Sequence, residues 1–181
     1  MIHIVSNYDS PKPITHSYDL GFTPFCLKIW KDSWLLIGGK GQVKVFSLQE
    51  KKFIHKWEIA TTEKEPVDVS KMLLFPDFTF LCGCTKGVVQ VHGFSSPRLC
   101  HLQLEPDTAD VNDMLLNSTK SRDLLEYALA TEEGLIFIQV KIKGGDYQMV
   151  QLKQPHHRKH QSVKCIGLVR ENVLLLGLHD S

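Results

Sequence analysis

The sequence predicts an all-β fold, a β-propeller segment made of four-stranded antiparallel blades. The main observation is a hairpin pattern, in which two apolar runs flank a turn that contains glycine. It occurs first at Trp34 to Leu48 and returns at Phe80 to Val91 and at Leu129 to Ile138. Short strands repeated in this way are typical of propeller blades.

Two further observations fix the period of the pattern. The turn glycines Gly41, Gly87 and Gly134 are 46 and 47 residues apart. The segment Asp68 to Leu74 also returns at Asp110 to Leu116, with the same Asp-Val start and the same Met-Leu-Leu end. A period of this length fits one blade of four strands.

The first predicted unit is a half-blade over residues 1–20. Ile2 to Ser6 matches Val43 to Ser47, a third strand, and Ile14 to Leu20 supplies an outer strand. A complete blade follows over about residues 22–59. Its strands are predicted at Phe25 to Trp30, Trp34 to Ile37, Val43 to Leu48 and Lys52 to Ile59. An apolar second strand is expected because both of its faces meet neighbouring blades.

Two more blades are predicted at 66–104 and 110–152, followed by a half-blade at 162–181, where Ser162 to Gly177 repeats Phe25 to Gly38. In the third blade we expect a longer loop at Asn117 to Asp123. Leu124 to Ala130 has the composition of a helix. Its register with the other copies predicts a strand, since tertiary pairing overrides a weak local preference.

The composition favours a soluble intracellular chain. The 181 residues carry a formal net charge of +1, and no apolar run approaches the length of a membrane span. A net charge this close to zero gives the chain no overall positive potential that would attract nucleic acid or an anionic membrane. We therefore expect other proteins as partners. The chain has five cysteines, an odd number, and they lie within or beside predicted strands. This pattern predicts reduced thiols and no disulfide framework. The expected location is the cytoplasm, with the nucleus as the alternative.

The repeated hairpins resemble those of WD-repeat β-propellers over nearly the whole chain. The terminal Trp-Asp of a WD repeat has its counterpart in Trp57-Glu58, and the Gly-His start is absent from every copy. Tyr127 to Leu135 is also similar to a segment of citron-homology propellers. The resemblance to WD topology implies that the interblade loops share one face with the turns between second and third strands.

The densest cluster of basic and metal-capable side chains is His156, His157, Arg158, Lys159 and His160. The imidazoles could hold a metal if the loop curled, or they could bind an acidic or phosphorylated partner. The third alternative is a solvated interblade loop, as is usual for runs of charge. Since neither Cys nor a carboxylate lies close by in sequence, we expect no metal site here.

Cys82 and Cys84 form a Cys-x-Cys pair, a pattern that also occurs in metal and redox sites. On a strand the two side chains point to the same face, but a zinc site would need two further ligands. We expect them to fill space between blades as small apolar residues. Packing is likewise the expected role of Trp30, Trp34 and Trp57, which alternate with other apolar residues.

The sequence carries no phosphate-binding glycine loop, no G-x-S-x-G and no H-E-x-x-H motif. We therefore predict no enzyme and no cofactor, and a non-catalytic platform for protein interaction, a scaffold or adaptor within a larger protein or complex. The alternative is an enzyme or small-ligand propeller that uses the central channel. The predicted binding face collects Lys40, Thr85, Lys86, Glu132, Glu133, His156, His157, Arg158, Lys159 and His160.

The two half-blades predict that the chain belongs to a larger propeller. Ile2 to Leu20 resembles the third and fourth strands that the C-terminal half-blade needs. Closure of a four-bladed ring and completion by a partner chain are therefore the alternatives. Hydrogen bonds between Ile2 to Ser6 and Val173 to Leu178 would indicate the closed ring.

Overall fold

The computed structural model describes residues 1–6, 9, 12, 14–75, 78–94, 98–107, 109–152, 161–170 and 173–179. Within these ranges the chain forms sixteen β-strands and no helix, and thus no helix suited to crossing a bilayer. The strands are β1 (Ile2–Ser6), β2 (Ile14–Tyr18), β3 (Pro24–Trp30), β4 (Trp34–Gly39), β5 (Gln42–Ser47), β6 (Lys52–Glu58), β7 (Val69–Leu74), β8 (Thr79–Cys84), β9 (Val88–Gly93), β10 (Cys100–Gln103), β11 (Val111–Ser121), β12 (Leu124–Thr131), β13 (Gly134–Lys143), β14 (Asp146–Gln151), β15 (Val163–Arg170) and β16 (Val173–Leu178).

The described strands pair into five antiparallel sheets. Strands β3 to β6 form blade 1, β7 to β10 form blade 2 and β11 to β14 form blade 3, each in sequence order. The N-terminal hairpin, β1–β2, and the C-terminal hairpin, β15–β16, are separate two-stranded sheets. The predicted all-β architecture of three four-stranded blades between two half-blades is confirmed.

Blade 3 corrects one detail of the sequence prediction. Asn117 to Ser121, expected in a loop, continues strand β11 and pairs with the start of β12. Two register shifts, beginning at Leu116 and Thr119, accommodate the extra residues as bulges. The helix-like segment Leu124 to Ala130 lies in β12 and pairs with β11 and β13 on its two sides. Pairing on both edges therefore determines its conformation.

The first strands of successive units, β3, β7, β11 and β15, contact one another in chain order. Glycines on the second strands allow the blades to approach. A Cβ atom on Gly38 would lie 2.8 Å from Val69 Cγ1 in blade 2, and one on Gly83 would lie 2.5 Å from Val111 Cγ1 in blade 3. Apolar cores fill the spaces between blades 1 and 2 and between blades 2 and 3.

A bulge near the start of each first strand repeats around the array. In blades 2 and 3 the bulged residues are Ser70 and Asn112. Ser70 donates to the carbonyl oxygen of Val111, and Asn112 Nδ2 donates to that of Val163 at 2.9 Å. Each hydrogen bond reaches the first strand of the next unit. The bulges therefore connect consecutive units at the same position along their first strands.

The strands at the two ends of the array do not complete each other. Among the described residues, β1 pairs with β2 and β16 pairs with β15, and each has no partner on its other edge. The hydrogen bonds that would indicate a closed four-bladed ring are therefore not formed.

Candidate interaction face

The turns between second and third strands meet the interblade segments at one end of the blades, here named the loop face. Ile59 N donates to Gly41 O at 2.9 Å, and Leu104 N donates to Gly87 O at 2.8 Å. Each bond joins the end of a fourth strand to the β4–β5 or β8–β9 turn. The other turns lie at the opposite end, where Leu48 N donates to Ser33 O at 2.9 Å.

Lys86 is held in the β8–β9 turn by hydrogen bonds of its backbone and of its side chain. It has a positive φ of 56° in the β8–β9 turn, and its backbone N donates to Asp110 Oδ1 at 2.6 Å. Gln103 Nε2 donates to Lys86 O at 2.6 Å. The ammonium group donates to Glu65 Oε2 at 2.6 Å, although both side chains are exposed. Backbone bonds therefore fix the turn, and the surface ion pair directs its side chain.

These residues line a cleft of about 600 Å³ formed by blade 2 and by the interblade segments before and after it. Four carboxylates and one ammonium group line it, so the described part of this surface is mainly acidic. The hydrogen bond from Lys86 lowers the pKa of Glu65, and the same bond raises the pKa of Lys86. The lining residues are Thr61, Thr62, Glu63, Glu65, Lys86, Gln103, Asp107 and Asp110.

Glu132 forms a second polar centre on the loop face, at the junction of blade 3 and the C-terminal hairpin. Its carboxylate accepts hydrogen bonds from Lys164 Nζ, from Ser162 Oγ at 2.6 Å and from Asn112 Nδ2 at 3.1 Å. The bonds from Lys164 and Ser162 are the main reason that the pKa of Glu132 is lowered to about 2. The group is therefore anionic at neutral pH and holds the C-terminal hairpin against blade 3.

The remaining predicted site residues have simpler surroundings. Thr85 Oγ1 accepts a hydrogen bond from Asp68 N at 3.0 Å and thereby closes the β8–β9 turn on β7. Glu133 N donates to Thr131 Oγ1 at 3.2 Å within the β12–β13 turn. Lys40 is exposed, and its backbone N donates to Thr23 O at 3.1 Å. The predicted residues His156, His157, Arg158, Lys159 and His160 lie outside the described residues.

Sequence reasoning missed Glu65, Gln103 and Asp110 as part of this face. The signal for Asp110 was present, because Asp68 and Asp110 begin the repeated segment. Both were interpreted only as the start of a strand. Asp107 lies in a predicted turn, for which the sequence indicates only solvated surface. The cleft brings these four residues together with Lys86, which sequence spacing alone does not show.

Cys82 and Cys84 are fully buried in the apolar core between blades 1 and 2, as expected of packing residues. Burial is the main reason that the pKa of Cys84 is raised and that of Cys26 is raised to about 12. Trp30, Trp34 and Trp57 also belong to this core or pack against it. Within the described ranges, no group of three or more His, Cys, Asp or Glu side chains is arranged to hold a metal ion.

No family model and no protein of curated function matches this sequence. Among solved structures, the chain is similar to the β-propeller domain of Cps50 (Swd1) from Myceliophteria thermophila, with 12% identity and a TM-score of 0.58. That match covers 88% of this chain and 55% of the propeller domain. A chain of the mitotic checkpoint complex matches with 16% identity and a TM-score of 0.61, over 94% of this chain and 49% of that chain.

The chain thus spans about half the length of these two chains. At such low identity the likeness concerns the fold, and it agrees with the blade order and pairing found here. This chain has the architecture of a WD-repeat-like β-propeller.

Proposed function

We propose that this chain is a non-catalytic protein-interaction platform, a scaffold or adaptor unit that binds partner proteins at the loop face. The observation that carries the proposal is the cleft beside Lys86, whose walls come from blade 2 and from the two interblade segments on either side of it. Hydrogen bonds from Lys86 N to Asp110 and from Gln103 Nε2 to Lys86 O hold the β8–β9 turn to the following interblade segment and to β10. A rigid scaffold that presents polar loops in this way suits recognition of another protein.

The charges on this face favour two kinds of partner segment. The cleft carboxylates Glu63, Glu65, Asp107 and Asp110 outnumber its single lysine, so the cleft suits a segment with lysine or arginine. An acidic or phosphorylated segment would instead be recognised by the basic run His156 to His160.

The test is a comparison of partner capture by matched charge-reversal variants. The variant K86E/R158E/K159E removes basic charge, and E63K/E65K/D107K reverses the cleft. The control K51E/R122E/K143E changes three basic residues at the opposite end, two in turns and Lys143 at the end of β13. Captured proteins are quantified by mass spectrometry after cross-linking. We expect one of the two loop-face variants to lose most of its partners and the control to retain them.

The two variants distinguish the two classes of partner. Loss in K86E/R158E/K159E alone indicates an acidic segment, and loss in E63K/E65K/D107K alone indicates a basic one. If both loop-face variants capture every partner of the unmodified chain, the loop face is not the binding surface and the proposal fails.

A further inference from the structure

Gln90 is a buried amide in β9 that connects blade 2 to the interblade segment after blade 1. Its Nε2 donates to Ala60 O at 2.6 Å. Ala60 directly precedes residues 61–63, which line the cleft on the loop face. Lys86 reaches the same segment through its ion pair with Glu65, but both of those side chains are exposed, and exposed pairs contribute little. The bond from Gln90 is therefore the stronger of these two connections.

The same amide contacts two histidines of blade 2. Gln90 Nε2 lies 3.0 Å from Nδ1 of His101 in β10, and Gln90 Oε1 lies 2.9 Å from Nε2 of His92 in β9. A carbonyl oxygen can only accept, so the Gln90 atom that bonds Ala60 O is the nitrogen. This orientation assigns the protons of both rings. His92 carries a hydrogen on Nε2, and His101 accepts at an unprotonated Nδ1.

His101 is therefore neutral while the amide is in place, with its hydrogen on Nε2. That atom is buried and has no hydrogen-bond partner among the described residues. Charging the ring adds a hydrogen at Nδ1, which then faces the NH₂ group of Gln90. If the amide turned over to accept that hydrogen, its oxygen would face the carbonyl oxygen of Ala60. In either orientation one contact becomes repulsive, so a charged His101 is incompatible with the connection to Ala60.

The surroundings of His101 also disfavour its charged form. Burial is the first reason that the pKa of His101 is lowered from 6.5, and the charge of Arg98, an exposed residue before β10, is the second. From blade 1, His55 faces this junction and contacts Trp57, with ring centroids 4.2 Å apart. The other titratable or charged side chains on the facing elements are Cys26 and Lys28 on β3, Cys82 and Cys84 on β8, His92 on β9, and Glu63, Lys64, Glu65, Asp68 and Lys86 around the cleft.

We propose that Gln90 and His101 form a pH-dependent latch, which holds the cleft wall through Ala60 at neutral pH and releases it when His101 is protonated. In the released state His101 has its ordinary pKa of about 6.5, whereas the closed state binds the proton more weakly. Release is therefore coupled to uptake of one proton. The latch has its full effect above about pH 6.5, and this effect is lost as the pH falls from there towards the lowered pKa of the closed state.

Release of Ala60 would displace the wall that residues 61–63 supply to the cleft. Partner binding at the loop face should then weaken in mildly acidic conditions. This consequence rests on the proposed function, whereas the latch itself does not. Carboxylates have ordinary pKa values of about 4, so the acidic side chains of the cleft keep their charge at pH 5.5 and do not produce the same effect.

The first experiment measures amide hydrogen exchange of residues 60–67, expressed as protection relative to an unstructured peptide. Between pH 7.5 and pH 5.5 the protection should fall by up to about tenfold in the unmodified chain, the limit for one group with an ordinary pKa of 6.5. H101N supplies an oxygen that accepts from Gln90 without titrating, so its protection should be the same at both pH values. Q90L should show low protection at both. H16N, a change at an exposed histidine of the N-terminal hairpin, is the control and should behave as the unmodified chain.

Two further readouts respond to the proton on His101 and not to packing. R98Q removes a cation that disfavours the charged ring, so it should move the midpoint of the fall to higher pH. The ¹⁵N spectrum of the His101 ring at pH 7.5 should show an unprotonated Nδ1 and a protonated Nε2. Constant protection in the unmodified chain, an equal fall in H101N, or the opposite tautomer of His101 would each overturn the proposal.

Partner capture at the two pH values tests the consequence for binding. The unmodified chain should capture less partner at pH 5.5 than at pH 7.5 after cross-linking, and H101N should capture equal amounts. Equal losses in both chains would overturn control of the loop face by the latch. Absence of capture at either pH, together with protection that depends on His101, would refute the proposed function and support the latch.

Discussion

Lys71 Nζ lies 2.5 Å from Asp113 Oδ1 and joins the first strands of blades 2 and 3. The two residues occupy equivalent positions in their blades, one step after the bulge. Asp113 also accepts hydrogen bonds from Met114 N at 2.9 Å and from Ile166 N at 3.1 Å. One carboxylate thus connects blade 2, blade 3 and the C-terminal hairpin.

We expect D113A to destabilise the fold by about 2–4 kcal/mol, because it leaves a partly buried ammonium group and the amide of Ile166 without their acceptor. D113N should lower the free energy of unfolding by less than D113A does, since the amide keeps one acceptor oxygen. The free energies of unfolding can be measured by urea denaturation followed by circular dichroism. The exposed pair Lys52–Glu50 is the control, and E50Q should change the stability by less than about 1 kcal/mol. An effect of D113A as small as that of E50Q would contradict this prediction.

The second prediction concerns the glycines that let blades approach. In G38A the new Cβ would lie 2.7 Å from Cys26 Sγ and 2.8 Å from Val69 Cγ1, and in G83A it would lie 2.5 Å from Val111 Cγ1. Overpacking of this kind costs about 1–3 kcal/mol. G167A is the matched control, because no atom lies within 4 Å of its Cβ position. Thermal unfolding should show lower midpoints for G38A and G83A, and equal midpoints for all three variants would refute the packing argument.

The third prediction concerns Gln90, a buried amide between blades 1 and 2. Its Nε2 donates to Ala60 O at 2.6 Å, and its Oε1 lies 2.9 Å from His92 Nε2. Q90L removes these hydrogen bonds and the contact with His101 Nδ1 at 3.0 Å but leaves the buried partner groups in place, so we expect the free energy of unfolding to fall by about 1–3 kcal/mol. Q103L at the exposed edge of β10 is the control and should cost less. Amide hydrogen exchange in the segment around Ala60 should be faster in Q90L than in the unmodified chain, and it should be unchanged in Q103L.

The sequence predicted most of the fold because one physical constraint recurs in every unit. A second strand that meets blades on both faces must be apolar, and a tight turn favours glycine, so Trp34 to Leu48 returns in recognisable form. Blade 3 was the exception. The extra residues at Asn117 to Ser121 predict a longer loop, whereas bulges let the paired strands continue.

The candidate site was less predictable, because its contacts join residues that are distant in sequence. Lys86 was recognised as a turn residue, but its pairing with Glu65 and Asp110 depends on the angle between blades. Glu132 was chosen for its position, and its connection to Lys164 in the next unit carries no local signal. Spacing within one repeat predicts which residues lie on a face, and the packing of repeats determines which of them meet.

The last prediction follows from the lowered pKa of Glu132. The hydrogen bonds from Lys164 and Ser162 lower this pKa from 4.5 to about 2, so the folded state binds this proton more weakly than the unfolded state. The carboxylate therefore contributes its full stabilisation above about pH 5, and this contribution is lost as the pH falls from 4.5 towards 2. E132Q should accordingly be less stable than the unmodified chain at pH 7, and the difference should shrink by pH 3. Urea denaturation between pH 3 and pH 7 measures this difference in the free energy of unfolding. The control is E63Q, a change at an exposed glutamate of the loop face. A difference between E132Q and the unmodified chain that is the same at pH 7 and pH 3 would show that the charge of Glu132 does not hold the C-terminal hairpin.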